Sequence, residues 1–161
     1  MILATFAVTM STLTVETLCT EAALFSAAES RHPEPLLYGV TDGKAVGTYL
    51  EQKFRLHLKG RYEFVEGNSA SGIDFPGLLV DVKVTSIKQP QSSCPFKSAR
   101  QKILGLGHSL LIFVYNKTDN SETRSANLNI LHTIYSLSQV YEVHYNSSLS
   151  IIEISHETSF N

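Results

Sequence analysis

Residues 71–86 read SGIDFPGLLVDVKVTS, and the fold of the chain turns on how this stretch is paired. From Leu78 to Thr85 the side chains alternate: Leu78, Val80, Val82 and Val84 take one face, Leu79, Asp81, Lys83 and Thr85 the other. Such alternation predicts a half-buried strand. Asp81 and Lys83 then point the same way, roughly 7 Å apart at strand rise. The valines pin the register, because a slip of one residue would bury both charges. Upstream, Ile73-Asp74-Phe75 predicts a second short strand, with Pro76-Gly77 as the turn between the two. Proline presets the first central position of a turn and glycine supplies a positive φ at the second. With Phe75 opposite Leu78, Asp74 stands opposite Leu79 and shares the face of Asp81 and Lys83. The diagonal from Asp74 to Asp81 is then about 7–8 Å.

Two carboxylates and a lysine on one sheet face suit a hard divalent cation with a proton carrier beside it. Mg²⁺ prefers one or two carboxylates, keeps several waters and completes its shell with phosphate oxygen. Asp74 and Asp81 are the expected metal ligands, and Lys83 the residue that orients or deprotonates the attacking water. A merely solvated strand face is the competing reading of Asp81 and Lys83.

The spacing Asp74–x6–Asp81–x–Lys83 resembles the active-site signature of the PD-(D/E)XK nuclease superfamily, with Asp81-Val82-Lys83 as its (D/E)XK element. The short gap is similar to that of the mismatch-repair nicking endonuclease and its restriction-enzyme relatives. Residues 72–115, GIDFPGLLVDVKVTSIKQPQSSCPFKSARQKILGLGHSLLIFVY, look like bacterial Type II restriction endonucleases, and the resemblance covers about Ala45 to Ile134. One departure is Ile73, where many members carry proline.

The resemblance implies an α/β, restriction-endonuclease-like core, a mixed β-sheet flanked by helices. It also implies a Mg²⁺-dependent endonuclease that hydrolyses double-stranded DNA, with paired active sites and hence a homodimer. Residues 1–136 are expected to form the nuclease core, with 1–13 either disordered or a start-site extension, and 137–161 a separate tail. Many superfamily members draw a further glutamate from the helix before the hairpin, and by that resemblance Glu51 is the fourth catalytic candidate. The other reading of Glu51 is a solvated glutamate beside Arg55 at i+4. Glu66, in the turn Glu66-Gly67-Asn68, is a weaker competitor. The serine-rich tail has no counterpart in the resemblance, so a truncated, inactive remnant with weak non-specific DNA binding is the alternative function.

The chain of 161 residues is 43% apolar, which suits one domain with a true core. Thirteen basic and fifteen acidic side chains give a net charge of −2, so bulk charge does not mark a nucleic-acid binder. The distribution does more. Between Val82 and Thr118 there is no acid, yet Lys83, Lys88, Lys97, Arg100, Lys102 and Lys117 fall there. Such a local excess is what a phosphate-facing surface needs, although a chance run is its plain alternative. Cys19 and Cys94 lie far apart without metal spacing and read as reduced cytosolic thiols, so a cytoplasmic location is expected. No run reaches the length of a membrane span, and no Lys or Arg precedes Arg31 as a secretory signal would need. Neither a phosphate-binding loop nor a dinucleotide fingerprint occurs.

Taken in order, residues 15–28 predict a helix capped by Thr14, with Leu18, Ala22 and Phe25 at helical spacing. Arg31–Gly39 reads as a loop. Asp42 caps a second helix to about Leu58, with Val46, Leu50, Phe54 and Leu58 as its buried stripe and Gly60 as its end. Tyr62–Val65 predicts a short strand. After a polar loop, Pro95 can open a helix to Leu104 that displays Lys97, Arg100, Gln101 and Lys102. In nucleases resembling this one, polar residues of that helix assist the site or contact DNA; with Lys88 they are the DNA-binding candidates. Ser109–Tyr115, SLLIFVY, reads as a strand covered on both faces, which predicts a right-handed βαβ crossover. Asn116–Ser125 reads as a turn-rich loop and Leu128–Tyr135 as a further strand. His132, His144 and His156 are spaced too evenly to form a metal cluster.

Overall fold

In the computed structural model, residues 10–67, 72–90 and 106–137 are described, together with the backbone of 158–160. Helix α1 (Val15–Glu29) begins at the expected cap: Thr14 Oγ1 accepts from the Thr17 amide at 3.2 Å, and Thr17 Oγ1 accepts from the Thr14 amide at 2.9 Å. This reciprocal pair satisfies amides that the helix start leaves open. Helix α2 (Gly43–Lys59) starts where Asp42 Oδ1 accepts from the Lys44 amide at 3.0 Å, and Gly60 closes it. Its stripe of Val46, Leu50, Phe54 and Leu58 is fully buried. The Phe54 ring meets Phe25 of α1 and Phe113 of the sheet, each at a centroid distance of 5.2 Å. The two helices and the sheet therefore share one core. Among the described residues no helix is long and apolar enough to cross a membrane.

The principal sheet has five strands: β2 (Pro33–Glu34), β4 (Val80–Ser86), β5 (Ser109–Asn120), β6 (Ser125–Ser136) and β7 (Thr158–Phe160). The order is β2-β6-β5-β4, with β7 also on β6. Only β4 and β5 run parallel, in the register Val82↔Leu111 and Val84↔Phe113, so the sheet is mixed. Helix α2 lies against β4 and α1 against β6. Two short strands, β1 (Ser11–Thr12) and β3 (Tyr62–Glu63), pair separately. The α/β class with a mixed sheet and helices is thus as expected. The helix expected at 95–104 lies outside the described residues, and with it the crossover.

Three boundaries differ from expectation. The hairpin turn is longer than Pro76-Gly77: Pro76–Leu78 form a 3₁₀ turn, Leu79 takes a left-handed conformation (φ 53°), and the strand starts at Val80. Phe75 consequently pairs with Val80, not Leu78, through amide–carbonyl bonds of 2.9 and 3.2 Å. The register has moved by two residues, and an even shift keeps every side chain on its face. Asp74 therefore comes beside Asp81 instead of Leu79.

The expected loop at 116–125 is mostly strand. Pairing continues to Asn120↔Ser125, and the turn is confined to 121–124. Asn120 Oδ1 closes it by accepting from the amides of Glu122 (2.9 Å) and Thr123 (3.2 Å), a local bond that lets a polar run end a hairpin without glycine. In the 31–39 loop, Pro33 and Glu34 pair with β6; an edge strand tolerates the proline.

A buried polar seam ties the helices together. Glu21 accepts from Arg61 at 2.6 Å and Tyr62 at 3.1 Å and meets His57 Nε2 at 2.7 Å. Burial alone would raise the Glu21 carboxyl, but its bonds to His57, Tyr62 and Arg61 prevail and hold it below its ordinary value.

Candidate active site

The hairpin delivers two carboxylates to one place. Asp74 Oδ2 accepts from the Val82 amide at 2.8 Å, which fixes the side chain across the strand it faces. Asp81, on β4, is 6% exposed, and its carboxyl lies within hydrogen-bonding reach of that of Asp74. Burial raises the Asp74 carboxyl, and the neighbouring Asp81 raises it further; the Val82 amide and Arg55 pull the other way without cancelling the rise. A carboxyl placed beside a second acid in a partly buried site holds its proton more tightly, as Asp74 does.

Each acid meets a basic side chain. Lys83 Nζ pairs with Asp81 Oδ2 and is 3.3 Å from the Val82 carbonyl, while nearly half of its side chain faces solvent. Arg55 Nη2, reaching over from α2, donates to Asp74 Oδ1 at 3.1 Å. His108, just ahead of β5, brings Nε2 to 4.0 Å from Asp81 Oδ2, the outer edge of an ion-pair contact.

Glu51, one helical turn before Arg55, is half-buried and lies in the field of the same four groups. Burial and then Asp74 raise its carboxyl to about 7, against partial relief from Lys83 and Arg55. Burial, with the neighbouring acids, keeps this third acid partly protonated near neutral pH. The sign of the effect on stability follows from linkage. A folded pKa of about 7 against an ordinary 4.5 means that stability falls as the pH rises through that window. In metal-free protein, Glu51→Gln is expected to be more stable than wild type by about 1–3 kcal/mol at pH 8, scaled down for partial solvent access. At pH 4, where both states hold the proton, the gap should close. Urea unfolding in EDTA at both pH values measures it; a gap independent of pH would place Glu51 outside the field of the acids.

The model of the family "Type II restriction enzyme NspV" matches residues 12–159. The chain belongs to the NspV family of Type II restriction enzymes. A Type II restriction enzyme NspV from Nostoc sp. (strain ATCC 29411 / PCC 7524) is 83% identical over 126 residues, which are 78% of this chain and 57% of that relative. The match thus spans little more than half the length of the curated relative. No solved structure matches.

Of the residues singled out in this NspV-family sequence, Asp74, Asp81, Lys83 and Glu51 come together in the fold. Glu66 does not; it pairs with Lys59 at 2.9 Å on the surface. Lys88 is exposed in the loop after β4, its amide donating to Ser86 Oγ at 3.2 Å. Lys97, Arg100, Gln101 and Lys102 lie outside the described residues. Arg55 and His108 escaped the reading from sequence. Arg55 had appeared only as a neighbour of Glu51 at i+4, and its partner turns out to be Asp74. His108 carried no local signal, because only the parallel register Val80↔Ser109 brings it near Asp81.

Proposed function

We propose that the chain acts as a Mg²⁺-dependent endodeoxyribonuclease of restriction type, with a PD-(D/E)XK site on a restriction-endonuclease-like core. The observation that carries this reading is the convergence of Asp74 and Asp81, with Lys83 on the exposed side of the pair. The donor set suits the cation. Asp74, its carboxyl raised by burial and by its neighbour Asp81, is relieved by a divalent charge between the two, and Mg²⁺ needs no more than two carboxylates. Among the described residues no group of three or more His, Cys, Asp or Glu side chains is placed to hold a metal ion, so the candidate ligand set is the two acids alone. Asp74 and Asp81 would hold it. When bound, Mg²⁺ supplies charge stabilisation for the phosphoryl transition state and acidifies a water.

The chain's own groups do the rest. The Val82 amide orients Asp74. Lys83 Nζ, with three donors and solvent access, orients the attacking water and meets the charge that develops on phosphate oxygen. Glu51, near its titration midpoint at neutral pH, can hold or release a proton beside the site. Lys88, with Lys97, Arg100, Gln101 and Lys102, would meet the backbone of double-stranded DNA. Two such chains, one for each strand, make a homodimer the working unit.

The test is incubation of purified protein with unmethylated phage DNA and Mg²⁺ at low salt, with Asp74→Ala alongside. Discrete fragments from the wild type alone are expected. Equal cutting by both proteins, or none by either, would overturn the assignment.

A further inference from the structure

The two cations of the site are not equivalent. Lys83 sits two residues from Asp81 on the same strand and travels with it. Arg55 belongs to α2, and its guanidinium offers five donors, of which Nη2 bonds Asp74 Oδ1. Among the described residues the guanidinium has no other hydrogen-bond or ion-pair partner, and 27% of the side chain is exposed.

The oxygen it occupies matters. Asp74 Oδ2 already accepts from the Val82 amide, and Oδ1 is the oxygen turned toward α2, where Arg55 lies on it at 3.1 Å. A divalent cation ligated by Asp74 would stand within a few ångströms of that guanidinium, two like charges in a half-buried site. Arg55 therefore opposes the ion for which the two acids are arranged. Displaced from Asp74, its planar fork is suited to a phosphate oxygen, and it projects from the helix that borders the site.

We propose that Arg55 is the counter-ion of the metal-free site, displaced from Asp74 by the divalent cation and passed to a phosphate of the DNA. The inference rests on the metal-site reading above. It makes Arg55 a positioning residue that couples the two ligands. DNA draws the guanidinium off Asp74 and so favours the cation, and the cation frees it for DNA and so favours binding; linkage makes the two effects equal.

The experiment is calorimetric titration of the full chain with Mn²⁺ in the absence of DNA. Arg55→Gln, which removes the charge and keeps a polar side chain, should bind Mn²⁺ about tenfold more tightly than wild type. Arg55→Lys, which keeps the charge, should stay within about threefold. In Ca²⁺, Arg55→Gln should bind duplex DNA about tenfold more weakly, and the gain in DNA affinity on adding Ca²⁺ should shrink. Mn²⁺ affinity unchanged or weakened in a folded Arg55→Gln, while wild type binds the ion, overturns this inference and leaves the metal site standing. Tighter Mn²⁺ binding with unaltered DNA affinity overturns the transfer to phosphate. A wild type that binds no Mn²⁺ overturns the metal site and this inference with it.

Discussion

Lys83→Ala is expected to cleave DNA about a thousandfold more slowly than wild type while binding it within about threefold. The difference follows from where Lys83 stands. Its ammonium pairs with Asp81 and is half open to solvent, so in the proposed nuclease it would reach the reacting phosphate without being buried by it. In the ground state it is one phosphate contact among several, and losing one such contact changes the salt slope by about one ion. In the transition state, charge gathers on the oxygens next to that ammonium, and a positioned cation is worth far more there than before the reaction begins. Single-turnover cleavage in Mg²⁺ measures the first quantity, and fluorescence anisotropy in Ca²⁺ the second. Equal losses in both would reduce Lys83 to an ordinary backbone contact.

Asp81→Ala should abolish specific divalent binding, with Mn²⁺ affinity falling by about a hundredfold or more. Asp81 is the more deeply placed of the two acids, and Asp74 has already committed one oxygen to the Val82 amide. Without Asp81, a cation at the site would keep one carboxylate, opposed by Arg55 and by a Lys83 that has lost its partner. One half-buried carboxylate against two cations does not hold a divalent ion. Calorimetry with Mn²⁺ decides the matter, and an unchanged affinity would remove Asp81 from the ligand set. Thermal melting of the same variant in EDTA separates lost ligation from lost fold.

Where a local rule governed the structure, the sequence could be read. The stripe Val46, Leu50, Phe54 and Leu58 has no interpretation other than a buried helix face, and Asp42 could cap nothing else. Thr14 announced α1 in the same way, and the alternation around Asp81 announced β4. The failures fall where distance along the chain hides a contact or where two local outcomes are close in energy. Leu79 in a left-handed conformation costs on the order of 1 kcal/mol, so a tight Pro-Gly turn looked preferable. Pairing of Phe75 with Val80 and the amide bond to Asp74 offset that cost, and neither is visible from within the turn. The polar run after Tyr115 looked like a loop because nothing in it is apolar; β6 pairs it regardless. Arg55 and His108 join the site only through packing of α2 and the register of β5, which no motif encodes.

The 3₁₀ turn at Pro76–Leu78 and the left-handed Leu79 also bear on redesign of this hairpin. Because side chains alternate, the register at which Phe75 and Val80 pair acts as a switch with two positions. A slip of that pairing by two residues keeps both acids on one face, while a slip by one sends one of them to the opposite surface. A library that varies only the loop between Phe75 and Val80 should therefore keep chelation in every member that retains this pairing, and lose it in those whose strands slip by one residue.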